Sequence, residues 1–277
     1  MKKVSVIIPC HNHAKYVGET IDSVLNQTYQ NIEIIVVNDA STDNSSEVIQ
    51  KYVDKYPKII FIDEKENIGV IEVRNKAISM AQGDYILPLD ADDKIHATYI
   101  EKAVNILENN SQIGVVYAKA CFFGEKEGIW ELANFNKENI LLYNMVFVTS
   151  LFRKEDFLHV GAYNKNMYGG YEDWDLWLSF VEHNFDFYQI DEVLFYYRIH
   201  QQSRNLDAKK KEDHLYQTII NNHRKLYADF FYDNRYKIKN IFRIEKIEYK
   251  YHKYRFLFKI LLVIVILQLL IIIGLMI

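Results

Sequence analysis

Residues 4–118 alternate between short apolar runs and amphipathic segments, and this pattern constrains the fold more than any other feature of the chain. The apolar runs are continuous rather than alternating, as expected for strands that are covered on both faces. They are rich in Val, Ile and Tyr and comprise residues 4–9, 32–39, 59–62, 85–90 and 113–118. Because helical patterns separate these runs, the sequence predicts an α/β fold with a mostly parallel sheet.

Four of the intervening segments repeat apolar residues every three to four positions, which predicts helices. They cover residues 16–25, 45–56, 70–82 and 100–107. Ser45 and Ser46 suit the start of the second helix, and Gly83 follows the third as a C′ glycine would. Residues 119–205 are less regular, with a predicted helix over 137–146 and a predicted strand over 148–153. We interpret this stretch as an elaboration of the same domain.

Charge and cysteine content exclude several classes of protein. The net charge of −4 argues against nucleic-acid binding through bulk positive charge. That average hides a basic segment, because residues 235–259 contain nine Lys or Arg against two Glu. Cys10 and Cys121 form no CxxC or Cys/His ligand spacing, so a disulfide scaffold and a zinc site are both disfavoured.

The end of the chain predicts a membrane helix. Residues 260–277 are 18 in number and apolar except for Gln268 and Gly274. A helix of this length spans about 27 Å, close to the thickness of the bilayer hydrocarbon. The Lys and Arg residues between 250 and 259 place the preceding domain in the cytoplasm by the positive-inside rule. The apolar run is either a tail anchor or continues beyond Ile277. We predict three parts: an α/β domain over 1–205, a basic helical extension over 206–255 and a transmembrane helix over 256–277.

The glycine-rich motifs that bind nucleotides are absent. No GxGxxG, GxxxxGK[ST] or GxSxG occurs among the ten glycines. Carboxylates stand instead where two predicted strands end, in NDASTDNS (38–45) and LDADD (89–93). Ligands of parallel sheets bind beyond the carboxyl ends of the strands, which makes Asp39 and Asp90 candidate site residues. Closely spaced carboxylates suit Mg²⁺ or Mn²⁺. The alternative is that both clusters only cap the helices that follow.

A third acidic motif, YGGYEDWDLWLSF (168–180), places Glu172 and Asp173 before a Trp-rich segment. If the helix includes both carboxylates, its apolar stripe is Trp174, Trp177, Leu178 and Val181. At about 100° per residue, Asp173 then borders the stripe and Glu172 points nearly opposite. This geometry favours Asp173 as a general base and gives Glu172 an orienting role. If the helix starts after Trp174, the choice between the two stays open.

Taken together, these motifs resemble those of the family 2 glycosyltransferases, which are inverting enzymes of the GT-A fold. The resemblance covers about residues 3–204 and rests on six motifs in order: VSVIIPCHN, VVNDASTDNS, VIEVRNKAI, LDADD, YEDWDLWLS and YYRIHQQSRN. It implies a Rossmann-like, mostly parallel sheet flanked by helices. It also implies that a sugar moves from a nucleotide-diphosphate sugar to an acceptor hydroxyl, with Mn²⁺ or Mg²⁺ as the cofactor.

The resemblance also implies roles for individual residues. The implied donor-binding residues are Pro9, Asn12, Asp39, Arg74, Asp90 and Arg198. Among them, Asp39 recognises the nucleotide base and Asp90 contacts the ribose or the sugar. Asp92 is the implied metal ligand, supported by Asp93. His200 and Ser203 approach the metal or the diphosphate. His11 departs from the family pattern, in which many members carry an aromatic residue at that position.

On the acceptor side, the resemblance places Asp173 and Glu172 in the catalytic motif. A reference pKa of about 3.9 predicts that Asp173 is ionised at neutral pH and ready to accept the proton of the attacking hydroxyl. The implied acceptor is a glycan or a lipid-linked molecule in cell-surface polysaccharide or glycolipid assembly. A basic segment beside a membrane helix suits a lipid-linked acceptor at an anionic leaflet.

Three alternatives accompany this hypothesis. A polyprenyl-phosphate glycosyltransferase uses the same donor site with a different acceptor. A metal-dependent nucleotidyltransferase shares the α/β layout, but it would carry a glycine- and Arg/Lys-rich loop where this chain has PCHNHAKY (9–16). A non-catalytic scaffold is the third alternative. The retention of acidic residues at Asp39, Asp90, Asp92 and Asp173 weighs against it.

Removal of residues 256–277 is expected to release the protein from membranes, because these residues supply the apolar stretch that would cross the hydrocarbon. Fractionation of cells that express the full-length and the truncated chain measures the effect. An alkaline carbonate wash separates integral from peripheral attachment. Truncated protein that still sediments with washed membranes would contradict the anchor hypothesis.

Overall fold

Nine strands form one sheet in the part of the chain that the computed structural model describes, residues 1–200 and 211–233. The strands are β1 (Val4–Cys10), β2 (Ile32–Asp39), β3 (Ile59–Glu64), β4 (Tyr85–Pro88), β5 (Lys94–Ile95), β6 (Ile113–Gly124), β7 (Gly128–Trp130), β8 (Leu151–Arg153) and β9 (Asp186–Ile199). Their order is β3-β2-β1-β4-β8-β6-β9-β5, with β7 paired to β6. The first four strands pair in parallel, as do β6 and β9, whereas β5, β7 and β8 pair antiparallel. The predicted mostly parallel α/β sheet is confirmed.

The described residues also form eight α-helices. They are α1 (Val17–Leu25), α2 (Ser45–Lys55), α3 (Val70–Met80), α4 (Tyr99–Asn109), α5 (Lys154–His159), α6 (Glu172–Glu182), α7 (Glu212–Asn222) and α8 (Arg224–Asp233). Helix α3 packs against β1 and β2, α2 against β2 and β3, and α4 against β6 and β8. Every residue of β1 and β2 is buried, which explains why their sequences are continuous rather than alternating apolar runs.

The order of the strands reverses at β1. Strands β2 and β3 are added on one side of β1, and β4 is added on the other. The loops that follow β1 and β4 therefore separate at a topological switch point, where open α/β sheets bind their ligands. Strand β2 ends at Asp39, as predicted, whereas β4 ends at Pro88 and leaves Asp90 in the loop beyond it. Both carboxylates lie at the ligand-binding edge of the sheet.

The prediction of a helix over residues 137–146 is wrong, because the segment forms only a 3₁₀ turn, at Asn139–Leu141. The indole nitrogen Nε1 of Trp174 donates to the carbonyl oxygen of Ile140 at 2.6 Å, and that of Trp177 donates to the carbonyl oxygen of Val146 at 2.9 Å. These carbonyl groups are thus satisfied by two tryptophans of α6 rather than by helical hydrogen bonds. Packing against α6 overrides the local helical pattern of the segment.

The chain divides into two compact units, Met1–Arg224 and Lys225–Ile277. All nine strands and the helices α1 to α7 belong to the first unit. None of the helices in the described residues is long and apolar enough to cross a membrane. The predicted transmembrane helix, residues 256–277, lies outside the described residues.

Gly83 has a different role from the predicted one, because α3 already ends at Met80 and is capped by Ala81. A Cβ atom at Gly83 would lie 2.4 Å from the Ser5 hydroxyl oxygen and 2.6 Å from the Ser5 backbone nitrogen. The amide of Gly83 donates to that hydroxyl oxygen at 2.8 Å, and the hydroxyl donates to the buried carboxylate of Glu33 at 2.5 Å. Gly83 is therefore required for a close approach of the backbone to β1.

Gly83→Ala is expected to destabilise the fold by about 1–3 kcal/mol, because the methyl group overlaps backbone that cannot move without disturbing β1. Chemical denaturation measures the free energy of unfolding. Gly18→Ala in α1 is the matched control, since its new methyl group meets only the tip of the Tyr52 side chain, at 3.1 Å. Equal stability of the Gly83 variant and the wild type would show that this close approach does not constrain the fold.

Candidate active site

The loops at the switch point enclose a cavity of about 1110 Å³. Its walls come from the loop after β1, the start of α3, the loop after β4, the start of α6 and the end of β9. Ten of the twelve predicted site residues line it: Pro9, Asn12, Asp39, Arg74, Asp90, Asp92, Asp93, Glu172, Asp173 and His200. Residues that are far apart in the sequence thus converge on one space.

The carboxylate of Asp39 closes the loop between β3 and α3. One oxygen accepts the amide of Ile68 at 2.7 Å and the other accepts the amide of Gly69 at 3.0 Å. Gly69 has a φ of +83°, a backbone conformation that favours glycine, and it stands at the N-cap of α3. A carboxylate offers about four lone-pair sites, so two amides leave acceptor capacity directed at the cavity.

Asn12 fixes the two loops that lie on the predicted nucleotide side of the cavity. Its φ of +59° is left-handed, a conformation that asparagine tolerates better than most residues. Its side-chain oxygen accepts the amide of Thr42 at 2.7 Å and the Thr42 hydroxyl at 3.2 Å. The side chain therefore ties the loop after β1 to the loop after β2. Pro9 precedes it at the buried end of β1.

The three carboxylates of the LDADD motif have different surroundings. Asp90 forms an ion pair with Arg74. The Nε2 atom of His200 lies 2.8 Å from the Oδ2 atom of Asp92. Asp93 is buried and accepts the backbone amide of Arg198 at 2.8 Å. Burial and the neighbouring carboxylates raise the pKa of Asp93 well above its ordinary range. All three line the cavity, and Asp93, the most buried of them, supports the loop through its contact with Arg198.

Arg198 lies behind the LDADD motif and is not among the residues described as lining the cavity. Its Nε atom donates to the carbonyl oxygen of Asp92 at 2.7 Å, and its terminal nitrogen pairs with Glu19 at 3.0 Å. The guanidinium also lies over the rings of Tyr16 and Phe123, at 4.5 and 4.3 Å from their centroids. In this position Arg198 holds the backbone of a predicted metal ligand, and its predicted role in donor binding stays a prediction. Ser203 lies outside the described residues.

His13 joins the site although nothing in the local sequence singles it out. One possible ligand atom from each of His13, Asp92 and His200 lies within 4.8 Å of the others. Two imidazoles and a carboxylate are a suitable donor set for a divalent cation, so these residues fit the implied metal. Because the three residues belong to three distant loops, no spacing rule applied to the sequence brings them together.

Arg74 is buried, with 1% of its surface exposed, so it is not an ordinary surface residue of α3. One terminal nitrogen donates to Asp90 at 2.5 Å and the other donates to Glu172 at 2.8 Å. Although burial opposes its charge, Asp90 and Glu172 raise the pKa of Arg74 above its ordinary value. A single guanidinium therefore links the LDADD loop to the first residue of α6.

Asp173 is half-buried at the start of α6, beside Glu172. Its carboxylate accepts the side-chain amide of Asn144 at 3.0 Å and the backbone amide of Trp174 at 2.8 Å. Burial and the neighbouring carboxylate of Glu172 nevertheless raise the pKa of Asp173 to about 7. The expectation that Asp173 is fully ionised at neutral pH is therefore wrong, because the sequence does not show how strongly the site removes water from this carboxyl group.

The loop before α6 has positive φ angles at three successive residues. In the sequence, this loop is marked only by its Gly-Gly pair. Gly169, Gly170 and Tyr171 have φ values of +107°, +141° and +61°. This left-handed run ends directly at Glu172, the first residue of α6. The helix includes both carboxylates, so the condition set for the geometric argument is met. Glu172, which was predicted to point nearly opposite the apolar stripe of the helix, is nevertheless buried and pairs with Arg74.

Solved structures share this fold. The mannosyltransferase PcManGT from Pyrobaculum calidifontis, in complex with GDP-Man and Mn²⁺, matches with a TM-score of 0.63 and 18% identity, over 83% of this chain and 69% of that chain. Staphylococcus aureus TarS in complex with UDP matches with a TM-score of 0.61 and 22% identity, over 71% of this chain and 60% of that chain. The fold is the GT-A fold of glycosyltransferases.

Sequence comparison gives the family. Residues 5–165 match the model of Glycosyl transferase family 2, and the chain belongs to this family. An uncharacterized glycosyltransferase of Methanocaldococcus jannaschii is 30% identical over 76% of this chain and 75% of its own length. The minor teichoic acid biosynthesis protein GgaB of Bacillus subtilis is 31% identical over 71% of this chain, which spans only 23% of GgaB. The family resemblance predicted from the motifs is confirmed.

Sugar transfer is expected to decline by about tenfold per pH unit below pH 7, because a base must be ionised and the pKa of Asp173 is about 7. Asn144→Ala removes a hydrogen bond that favours the ionised form, so the acidic limb of the profile should move to higher pH. Measurements of kcat/KM against pH for the two proteins test both expectations.

The control for this profile is Asp173→Asn, which should lose transfer and keep donor binding. An acidic limb at the same pH in the wild type and the Asn144 variant would contradict the assignment. Lost donor binding in the Asp173 variant would instead show that this residue acts on the donor side or supports the fold.

Proposed function

We propose that this glycosyltransferase moves a sugar with inversion from a nucleotide-diphosphate sugar to an acceptor hydroxyl, with Asp173 as the base. The observation that carries the proposal is the arrangement around Arg74. Its guanidinium contacts Asp90 of the LDADD loop and Glu172 beside the base, and both contacts are shorter than 3 Å. The proposed donor side and acceptor side are therefore held in one cavity at a fixed separation.

The environments of the two neighbouring carboxylates support different roles. Glu172 is buried and paired with Arg74, so its charge is already engaged in an ion pair. Asp173 has two neutral donors, from Asn144 and Trp174, and its raised pKa makes it a better proton acceptor than an ordinary aspartate. Asp173 is the proposed base, and Glu172 is the proposed positioning residue.

Inverting transfer is a single displacement. The acceptor oxygen forms a bond to the anomeric carbon, the bond from that carbon to the diphosphate oxygen breaks, and the acceptor proton passes to the Asp173 carboxylate. The product is the glycoside with inverted configuration, together with a nucleoside diphosphate. Asp173 needs to reach only the acceptor hydroxyl, and its place at the cavity wall provides that access.

Donor binding is assigned to the side of the cavity that Asp39 and Asp90 line. A divalent cation held by Asp92 and His200 would supply positive charge to the departing diphosphate. The solved relatives support this class of donor, because PcManGT was determined with GDP-Man and Mn²⁺ and TarS with UDP. The comparisons also favour a glycosyltransferase over the nucleotidyltransferase alternative.

The proposed acceptor is a glycan or a lipid-linked molecule in cell-surface assembly. The name of GgaB links one relative to teichoic acid biosynthesis. The apolar segment 256–277 and the basic residues 235–259 add support from the sequence, because a cytoplasmic-facing membrane protein meets lipid-linked acceptors at the leaflet. A polyprenyl phosphate as the direct acceptor is a variant of the same proposal.

A panel of UDP-, GDP- and dTDP-sugars with Mn²⁺ is expected to include a donor that raises the Tm of the protein. Ligand at about 100 times its Kd stabilises the folded state by about 2.7 kcal/mol. Asp92→Asn should lose the Mn²⁺-dependent part of this shift and the metal-dependent turnover while the domain remains folded. Thermal-shift and circular dichroism measurements test both effects.

Stereochemistry provides the second arm of this test. Slow hydrolysis transfers the sugar to water, and ¹H NMR of the freshly released sugar shows its anomeric configuration. An α-linked donor should give the β-sugar first. Release of the α-sugar would contradict inversion, and the absence of any donor-induced rise in Tm would contradict the proposed donor class.

A further inference from the structure

The cluster of His13, Asp92 and His200 contains one more metal-binding group than the proposed function uses. The three side chains come from the loop after β1, the loop after β4 and the residue after the end of β9. All three are half-buried at the wall of the cavity. Their ligand atoms lie within 4.8 Å of one another.

These distances approach those of a bound cation. Two ligand atoms that bind one metal at about 2.1 Å lie at most about 4.2 Å apart. The Asp92 oxygen and the Nε2 atom of His200 are already 2.8 Å apart. The ligand atoms of the cluster are therefore within about 0.6 Å of the largest spacing that a shared metal allows.

The backbone of His13 is held in place independently of its side chain. Its amide donates to the Ser45 hydroxyl at 3.1 Å, and its carbonyl oxygen accepts the amides of Tyr16 and Val17, both at 2.9 Å. The imidazole lies edge-on to the His200 ring, with centroids 6.1 Å apart. Within the described residues, no hydrogen bond engages the His13 ring. The ring is thus positioned at the cluster by its backbone contacts and by its packing against the rings of Tyr16 and His200.

The chemistry of this donor set selects among cations. Mg²⁺ prefers oxygen ligands and retains its waters, whereas imidazole nitrogen binds divalent transition metals more strongly. Three protein ligands also leave coordination positions open for a substrate, as in other catalytic metal sites. A site built from Asp92 and one histidine would prefer transition metals over Mg²⁺ less strongly.

We propose that His13 is a third protein ligand, with Asp92 and His200, in a site that binds a divalent transition metal in preference to Mg²⁺ and before the donor arrives. This inference rests on the proposed function for the role of the cation, but not for its binding. The metal-free protein is therefore the right subject for the test. Asp92 and His200 lie 2.8 Å apart in this cluster, with the His13 imidazole beside them.

The experiment titrates EDTA-treated, donor-free protein with Mn²⁺, followed by EPR, and with Co²⁺, followed by its visible absorption. The wild type should bind both, with Co²⁺ tighter than Mn²⁺ and Mg²⁺ the weakest. His13→Ala should weaken Mn²⁺ and Co²⁺ binding by about tenfold or more and change the Co²⁺ spectrum, while Mg²⁺ binding changes little. The loss of an imidazole ligand is the physical reason.

His11→Ala is the matched control, because His11 lies on the same loop but contacts the carbonyl oxygen of Asp39 at 2.7 Å. Its affinity for the three cations should equal that of the wild type. The backbone contacts of His13 are preserved in an alanine variant, and His13→Gln preserves the bulk and polarity of the side chain. Circular dichroism in EDTA verifies that each variant is folded.

Unchanged Mn²⁺ and Co²⁺ binding in both His13 variants, combined with lost binding in Asp92→Asn, would overturn the role of His13 and leave the proposed function intact. Wild-type protein that binds no transition metal until a nucleotide-diphosphate sugar is added would overturn binding before the donor. The proposed function fails separately, if no donor raises the Tm with or without metal.

Discussion

The buried guanidinium of Arg74 is the interaction on which the geometry of the site depends. It contacts Asp90 on one side and Glu172 on the other, and only 1% of its surface is exposed. Removal of the buried partner, Glu172, typically costs about 3–5 kcal/mol, because a buried charge is left without compensation. Asp90 of the LDADD loop and Glu172 at the start of α6 are 82 positions apart in the sequence. Arg74 is what makes them two walls of one cavity.

This arrangement separates the roles of two adjacent carboxylates. Glu172 forms an ion pair with Arg74, whereas Asp173 accepts hydrogen bonds from two neutral groups, the Asn144 side chain and the Trp174 amide, and has Glu172 beside it. Burial and that neighbouring charge raise the pKa of Asp173 to about 7. A carboxyl group that changes protonation near neutral pH suits a group that takes up and releases a proton in each cycle. The same interaction that holds the walls together therefore also tunes the proposed base.

The strands were predictable because both faces of the sheet are covered, and continuous apolar runs are the consequence. The candidate site residues were predictable where strands end in carboxylates and where motifs recur in order. The helix over 137–146 failed because two tryptophans of α6 bind its carbonyl groups. The position of the Arg198 guanidinium behind the LDADD loop was also not given by its motif. Both features depend on contacts between distant segments, which local periodicity does not contain.

The sequence by itself determined the α/β class, the family and the carboxylates at the strand ends, because periodicity and ordered motifs are local properties of the chain. Only the tertiary structure decided that Arg74 is buried between two acids, that Glu172 is its partner and that Asp173 has a raised pKa. It also brought His13 to Asp92 and His200. The physical reason is that distance and loss of water set these properties, and both are fixed only when distant loops meet at the switch point of the sheet.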